Sequence, residues 1–117
     1  MITLYGIPNC DTMKKARKWL AEHGIEYRFH DYRKDGLERT LLSSWVEELG
    51  WEALLNRRGM MWRKLDPGIK TELDQQRAID IMLKTPSIIK RPLLDTGKSR
   101  HLGFSDQQYQ AIFDGFH

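Results

Sequence analysis

A chain of 117 residues is the size of one ordinary domain. At that length folding removes roughly two-thirds of the extended-chain surface from water, so a core can form without staples. Hydrophobic residues at 40% and charged residues at 30% exclude a disordered chain, and a net charge of +3, from 19 basic and 16 acidic residues, is too mild to call for nucleic acid. The one cysteine, Cys10, excludes an internal disulfide, a Cys-x-x-Cys redox pair and a multi-cysteine zinc site.

Residues 1–5, with Ile2, Leu4 and Tyr5, form a predicted strand that stops at the breakers Gly6 and Pro8. From Asp11 the period changes. Met13, Ala16 and Leu20 recur three and four apart while Lys14, Lys15, Arg17 and Lys18 face elsewhere, which predicts an amphipathic helix ended by Gly24. Ile25, Tyr27 and Phe29 then alternate with Glu26, Arg28 and His30, a period-two strand with one buried face. Strand, helix and strand make a βαβ unit. Leu37, Leu41, Leu42, Trp45, Val46 and Leu49 form one helical stripe closed by Gly50. The stretch "WEALLNRRGMMWRKLDPG" is less regular and ends in the breaker Asp66-Pro67-Gly68. Thr71 to Asp74 reads as a capping box with Thr71 as the cap, opening a helix that turns Ala78, Ile81 and Met82 toward a core. Leu93 and Leu94 precede a turn at Asp95-Thr96-Gly97-Lys98, and Ser99 to Leu102 is the return strand of a hairpin. Ser105 to Gln108 is a second capping box, with Tyr109, Ile112, Phe113 and Phe116 as the apolar face of a last helix. The order βαβ, helical block, ββα predicts an α/β fold, a thioredoxin-like mixed β-sheet covered by helices. The whole chain, residues 1–117, is expected to be one domain, with residues ~36–85 a helical insertion within it. No charged stretch followed by an apolar one opens the chain, and no apolar run nears the ~20 residues that span a bilayer; the expected location is the cytoplasm.

If Asp11 opens the first helix, Cys10 stands at its N-cap and the sulfur can face free backbone N–H groups. Those donors and the helix dipole favour the thiolate, and such placement lowers a cysteine pKa from about 8.5 toward 3.5–7.5. The thiolate is the form that attacks disulfides and electrophiles. Asp11 opposes the effect if its carboxylate turns to the sulfur, and Lys14, one turn on, assists it. The competing reading is a small buried cysteine without chemistry, and position alone leaves both standing. A thiolate acting on an anionic or disulfide substrate also needs cations nearby. Arg57 and Arg58 in "LLNRRGMMW" and Arg91 in "SIIKRPLL" are the candidates, against the bland reading of solvated surface arginines. Arg91-Pro92, directly before a short apolar strand, is a candidate cis bond.

Taken together, "YGIPNCDTMKKARKWLAEHGIEYRFHDYRKDG", "NRRGMMWRKL", "RPLL" and "GFSDQQY" resemble the arsenate reductase (ArsC)-like family, most closely its YffB-type subgroup. The resemblance runs in order, with family spacing, over nearly the whole chain. It implies a thioredoxin-like sheet with a helical insertion, Cys10 as the catalytic thiol, Arg91 as a substrate-binding arginine and Pro92 as a cis-proline facing the cysteine. Three departures stand out. Asn56 occupies the place after Leu-Leu where arsenate reductases typically carry an arginine, which Arg57 or Arg58 would have to replace. The arginine expected before the last helix is missing, and "HLGFSD" offers only His101. Met13 stands where the related Spx regulators carry the second cysteine of Cys-x-x-Cys.

With one cysteine, turnover must borrow a second thiol. The resemblance to the subgroup implies a glutathione-dependent thiol–disulfide reductase, in which Cys10 takes glutathione from a mixed disulfide and an outside thiol such as glutathione resolves it. Glutathione is then a co-substrate, no metal is required, and the partners are glutathione and a disulfide substrate, with neither membrane nor direct nucleic-acid contact. Asn9, Asp11 and Thr12 would line the turn and orient the glutathione backbone. Arg91 and one of Arg57 and Arg58 would hold its carboxylates, and the residue before Pro92 would offer its backbone to an extended ligand. Two alternatives are an Spx-like regulatory adaptor that binds RNA polymerase, with Cys10 a sensor or relic, and an arsenate reductase that uses Arg57, Arg58 and Arg91 alone. His23, His30, His101 and His117 lack metal-ligand spacing, and a Cys–His hydrolase pair through His101 lacks an orienting third group. Trp19, Trp45, Trp51 and Trp62 sit on helical patterns and read as packing.

Overall fold

In the computed structural model, which describes residues 1–114, the first strand β1 (Thr3–Gly6) leads through a short turn into helix α1 (Asp11–Glu22) and on to β2 (Arg28–Asp31). Helices α2 (Tyr32–Asp35), α3 (Arg39–Leu49), α4 (Trp51–Leu54), α5 (Met60–Arg63), α6 (Pro67–Thr71) and α7 (Gln75–Lys84) follow, then a 3-10 turn at Pro86–Ile88. The chain returns to the sheet with β3 (Leu93–Asp95) and β4 (Arg100–Leu102) and continues into α8 (Asp106–Asp114). Two compact units result, one from Met1–Asp31 and the chain from Arg91 on, the other from Tyr32–Lys90. No helix among the described residues is long and apolar enough to cross a membrane.

Four strands of the first unit form one sheet in the order β2-β1-β3-β4. β1 runs parallel to β2, with Thr3 opposite Arg28 and Gly6 opposite Asp31. It runs antiparallel to β3, with Thr3 opposite Asp95 and Tyr5 opposite Leu93. β3 and β4 form the hairpin, Leu93 opposite Leu102 and Asp95 opposite Arg100. A parallel pair needs a crossover, which α1 supplies, whereas an antiparallel pair closes through a tight turn, here around Gly97 at φ +88. This is the thioredoxin-like mixed sheet that the element order predicts. Its packed face is apolar: Leu4 and Leu94 from the sheet, Met13, Ala16, Trp19 and Leu20 from α1 and Tyr109 from α8 are buried together. Phe104 and Phe113 pack partly buried against them, with the Phe104 ring edge-on to Tyr109 at 4.6 Å between centroids. The predicted face of the last helix is thus occupied by Tyr109, Ile112 and Phe113; Phe116, and likewise His117, lies outside the described residues.

In the second unit α3, α4 and α7 pack on one another, with Leu42, Trp45 and Val46 of α3, Leu54 of α4 and Ala78, Ile79 and Met82 of α7 buried. Two local expectations are corrected here. The cap of α7 is Asp74, whose carboxylate accepts the Arg77 N–H at 2.9 Å, while Thr71 ends α6 and its hydroxyl donates to the Gly68 carbonyl. A carboxylate satisfies one of the orphan donors of a helix start better placed than a threonine three residues upstream. Ile79, rather than Ile81, is the buried isoleucine; Ile81 is half-buried at the edge of the stripe. The irregular stretch 51–71 resolves into three helices of four or five residues, separated by residues 55–59 and 64–66.

Candidate active site

The turn from Gly6 to Cys10 is set by close packing. Gly6 ends β1 directly against α1, and a Cβ there would lie 2.4 Å from Sδ of the fully buried Met13. Only glycine lets strand and helix approach this closely. The first helical bond follows at once, the Lys14 N–H donating to the Cys10 carbonyl at 3.0 Å. Cys10 itself is extended, with φ −144° and ψ 128°, and is the N-cap of α1.

Cys10 is half-buried and leans on the apolar cluster under the sheet. Burial pushes its thiol pKa up. Against that act, in descending order, the Met13 N–H, a hydrogen bond from the Arg91 guanidinium, the Thr12 N–H and the positive charge of Arg91. Their sum wins, and the thiol is held below its ordinary value. Two backbone donors from the first turn of α1 and a guanidinium from the far end of the chain therefore converge on one sulfur. Neither Asp11 nor Lys14 is among the groups that move it, so the opposition between them left open by the sequence is replaced by Arg91.

Arg91 is half-buried and precedes the buried Pro92, and the bond between them is cis. The Pro92 carbonyl accepts the Gly103 N–H at 2.9 Å, which ties the start of β3 to the segment after β4. Gly103 has φ +79° and was not anticipated; its only signal is a glycine between the hairpin and the last capping box. Thr12 is half-buried beside the sulfur, while Asn9 and Asp11 flank Cys10 as exposed residues. His101 is engaged within the hairpin, its Nε2 2.8 Å from the Ser99 hydroxyl.

Arg57 and Arg58 belong to the second unit. Arg57 is exposed, donates to Glu52 Oε2 at 3.3 Å and lies over the Trp62 ring, 5.7 Å from its centroid. The Arg58 N–H donates to Asn56 Oδ1, and no acid among the described residues engages its exposed guanidinium. Among the described residues no group of three or more His, Cys, Asp or Glu side chains gathers as a metal site requires.

A family model described as the ArsC family matches residues 5–112. This chain belongs to the ArsC family. Similarity to solved structures agrees. The YFFB protein is 50% identical, covers 95% of this chain and 97% of its own, and superposes with a TM-score of 0.90. An arsenate reductase (ArsC) related protein from Brucella melitensis is 47% identical over 96% of this chain and 93% of its own, with a TM-score of 0.80. The global transcriptional regulator Spx of Streptococcus pyogenes serotype M3 is 32% identical over 114 residues, 96% of this chain and 84% of Spx. The protein is thus an ArsC-family chain built on a four-stranded, thioredoxin-like mixed sheet.

Proposed function

We propose that this ArsC-family protein is a glutathione-dependent thiol–disulfide reductase whose nucleophile is Cys10. The observation that carries the reading is the convergence of the Met13 N–H, the Arg91 guanidinium and the Thr12 N–H on the sulfur of a half-buried cysteine. The Cys10 thiolate attacks the glutathione sulfur of a mixed disulfide. A Cys10–glutathione disulfide forms, and the substrate sulfur leaves with the electron pair of the broken bond and takes a proton. A second glutathione thiolate attacks the glutathione sulfur of the adduct, releasing oxidised glutathione and the Cys10 thiolate. The substrate gains two electrons and two glutathione-derived sulfurs are joined, so the cycle balances with one protein cysteine.

In this scheme Arg91 stabilises the thiolate before attack and again as it leaves the adduct. Thr12, with exposed Asn9 and Asp11, orients the peptide part of glutathione, and the residue before Pro92 offers its backbone to it. Arg57 and Arg58 belong to the second unit and are assigned no step in this scheme.

Replacement of Cys10 by Ser tests the scheme with a glutathionylated peptide as substrate and glutathione as reductant. Turnover should fall at least 100-fold while the circular dichroism spectrum is unchanged. Parent-like turnover by the Ser variant ends the proposal. A second reading, a regulatory adaptor on RNA polymerase, draws support from the 32% identity with Spx. It separates cleanly, since an adaptor predicts retention on RNA polymerase and an ordinary thiol pKa without turnover. Met13 bears on it as well, because a fully buried methionine stands four positions into the motif and cannot serve as a resolving thiol. Arsenate reduction, the third reading, would have to proceed without an arginine in "HLGFSD", where His101 is bound to Ser99.

A further inference from the structure

The formal charge of the chain is unevenly spread. The segment 56–71 holds five basic residues, Arg57, Arg58, Arg63, Lys64 and Lys70, and one acid, Asp66. The whole chain has an excess of only three bases, so everything outside this segment carries one more acid than base. The Asp66 carboxylate is occupied locally, accepting the Gly68 N–H at 2.8 Å as the cap of α6. Arg63 and Lys64 are exposed, and no acid among the described residues pairs with them. Among the described residues, two of the three large apolar side chains that stand out in solvent lie in the same segment: Met60 is 67% exposed and Ile69 is 45% exposed.

Trp62 binds the segment together. Arg57 lies 5.7 Å and Lys70 5.2 Å from the centroid of its ring, both within cation–π range. The stacking links the two ends of the segment, and hydrogen bonds from the Lys64 N–H to the Met60 carbonyl and from the Lys70 N–H to the Asp66 carbonyl close the single turns of α5 and α6. The result is a preformed stretch that sets arginine and lysine beside methionine, isoleucine and tryptophan; of these, methionine, tryptophan and arginine are enriched at protein contact surfaces.

We infer that this segment, through Met60, Arg63, Lys64, Ile69 and Lys70, docks an acidic stretch of a partner protein that carries apolar side chains between its carboxylates. Charge complementarity sets the sign of the partner. The exposed methionine and isoleucine require an apolar side chain opposite them, which a polyanion alone lacks. Single-stranded nucleic acid fits less well, because stacking a base needs an open aromatic ring and Trp62 already carries two cations. An anionic membrane surface fits less well too, since binding in its plane calls for a sustained amphipathic helix, and α5 and α6 have four and five residues. The inference is independent of the thiol chemistry; Arg57 and Arg58 enter only through the charge of the segment and the stacking on Trp62, and neither is altered in its test.

The test measures fluorescence polarisation of a labelled peptide that alternates glutamate and leucine against the intact chain. Its controls have leucine replaced by serine or glutamate by glutamine, and labelled oligothymidylate and phosphatidylglycerol vesicles are run alongside. The expected result is binding at least tenfold tighter than either control peptide and weakened about tenfold between 50 and 300 mM salt. Arg63→Glu with Lys64→Glu should weaken it at least tenfold and Met60→Ser at least threefold, with unchanged thermal midpoints. Turnover of a small glutathione disulfide should be unaffected in both variants. The inference is overturned by parent-like peptide binding in the variants, by equal binding of the serine control, or by tighter binding of oligothymidylate or vesicles. A proportional loss of small-disulfide turnover in the charge-reversed variant would overturn it as well, by assigning the segment to the thiol site.

Discussion

Burial raises the Cys10 pKa and the Met13 N–H lowers it; Arg91 is the side chain that joins the Met13 N–H in holding it down. Its hydrogen bond and its charge both act on the sulfur, and the remaining favourable contacts are backbone N–H groups that no side-chain substitution removes. Arg91→Met keeps most of the stem volume and removes the charge, so the pH midpoint of Cys10 alkylation should move up, with a slower rate at pH 7 read by iodoacetamide labelling. A midpoint equal to the parent's would show that the helix end alone sets the thiol. The same shift has a consequence for stability. A thiol whose pKa is lower in the folded chain than the unfolded value of about 8.5 contributes stability that is complete above 8.5 and disappears as pH falls through the folded pKa. Urea unfolding of the parent and of Cys10→Ser at pH 5 and pH 9 should therefore show the parent gaining relative to the variant at the higher pH. Part of this was legible beforehand. A lone cysteine between strand breakers and a basic helix pattern marks an N-cap, and Arg-Pro before an apolar strand marks an unusual turn. That the guanidinium reaches the sulfur was not legible, because the two residues meet only through the pairing of β1 with β3.

At the scale of elements, caps and close approaches are where local sequence is ambiguous. "TELD" contains two residues competent to cap, three apart, and α6 was too short to announce that it ends at Thr71. Asp74→Ala should cost about 1 kcal/mol by chemical denaturation and Thr71→Ala distinctly less, since only the first removes the acceptor of a helix-end N–H. The reverse order would restore Thr71 as the cap. Gly6→Ala should cost about 1–3 kcal/mol, because Met13 has no exposed space into which its thioether can retreat. A neutral result would mean that β1 and α1 separate easily and that the Cys10 turn is soft. Long periodic stretches were the readable ones: α1 and α3 each bury three or four residues of one stripe and end at His23 and Gly50, close to the glycines that predict their ends. The helices of four and five residues between Trp51 and Thr71 are shorter than any repeat that a 3.6-residue period can display. On α7 the stripe was visible but its orientation was not, because Ile79 and Ile81 lie at its two margins and packing on α3 and α4 selects the first.

For the molecule as a whole, composition and element order carry the fold, and the family assignment rests on residues 5–112 rather than on one motif. One cysteine in the chain fixes the stoichiometry of any thiol chemistry at one adduct per molecule. The unequal charge of segment 56–71 is a property of this scale too, invisible in a net charge of +3. The most direct measurement of the central claim is mass spectrometry of the intact chain quenched with acid seconds after mixing with oxidised glutathione, repeated from pH 5 to pH 9. The expected result is a single glutathione adduct, mapped to Cys10, whose rate rises to a plateau with a midpoint below about 8.5 and is removed by a second thiol. No adduct, or an adduct that forms only above that pH and stays equally slow in the parent and in Arg91→Met, would contradict it.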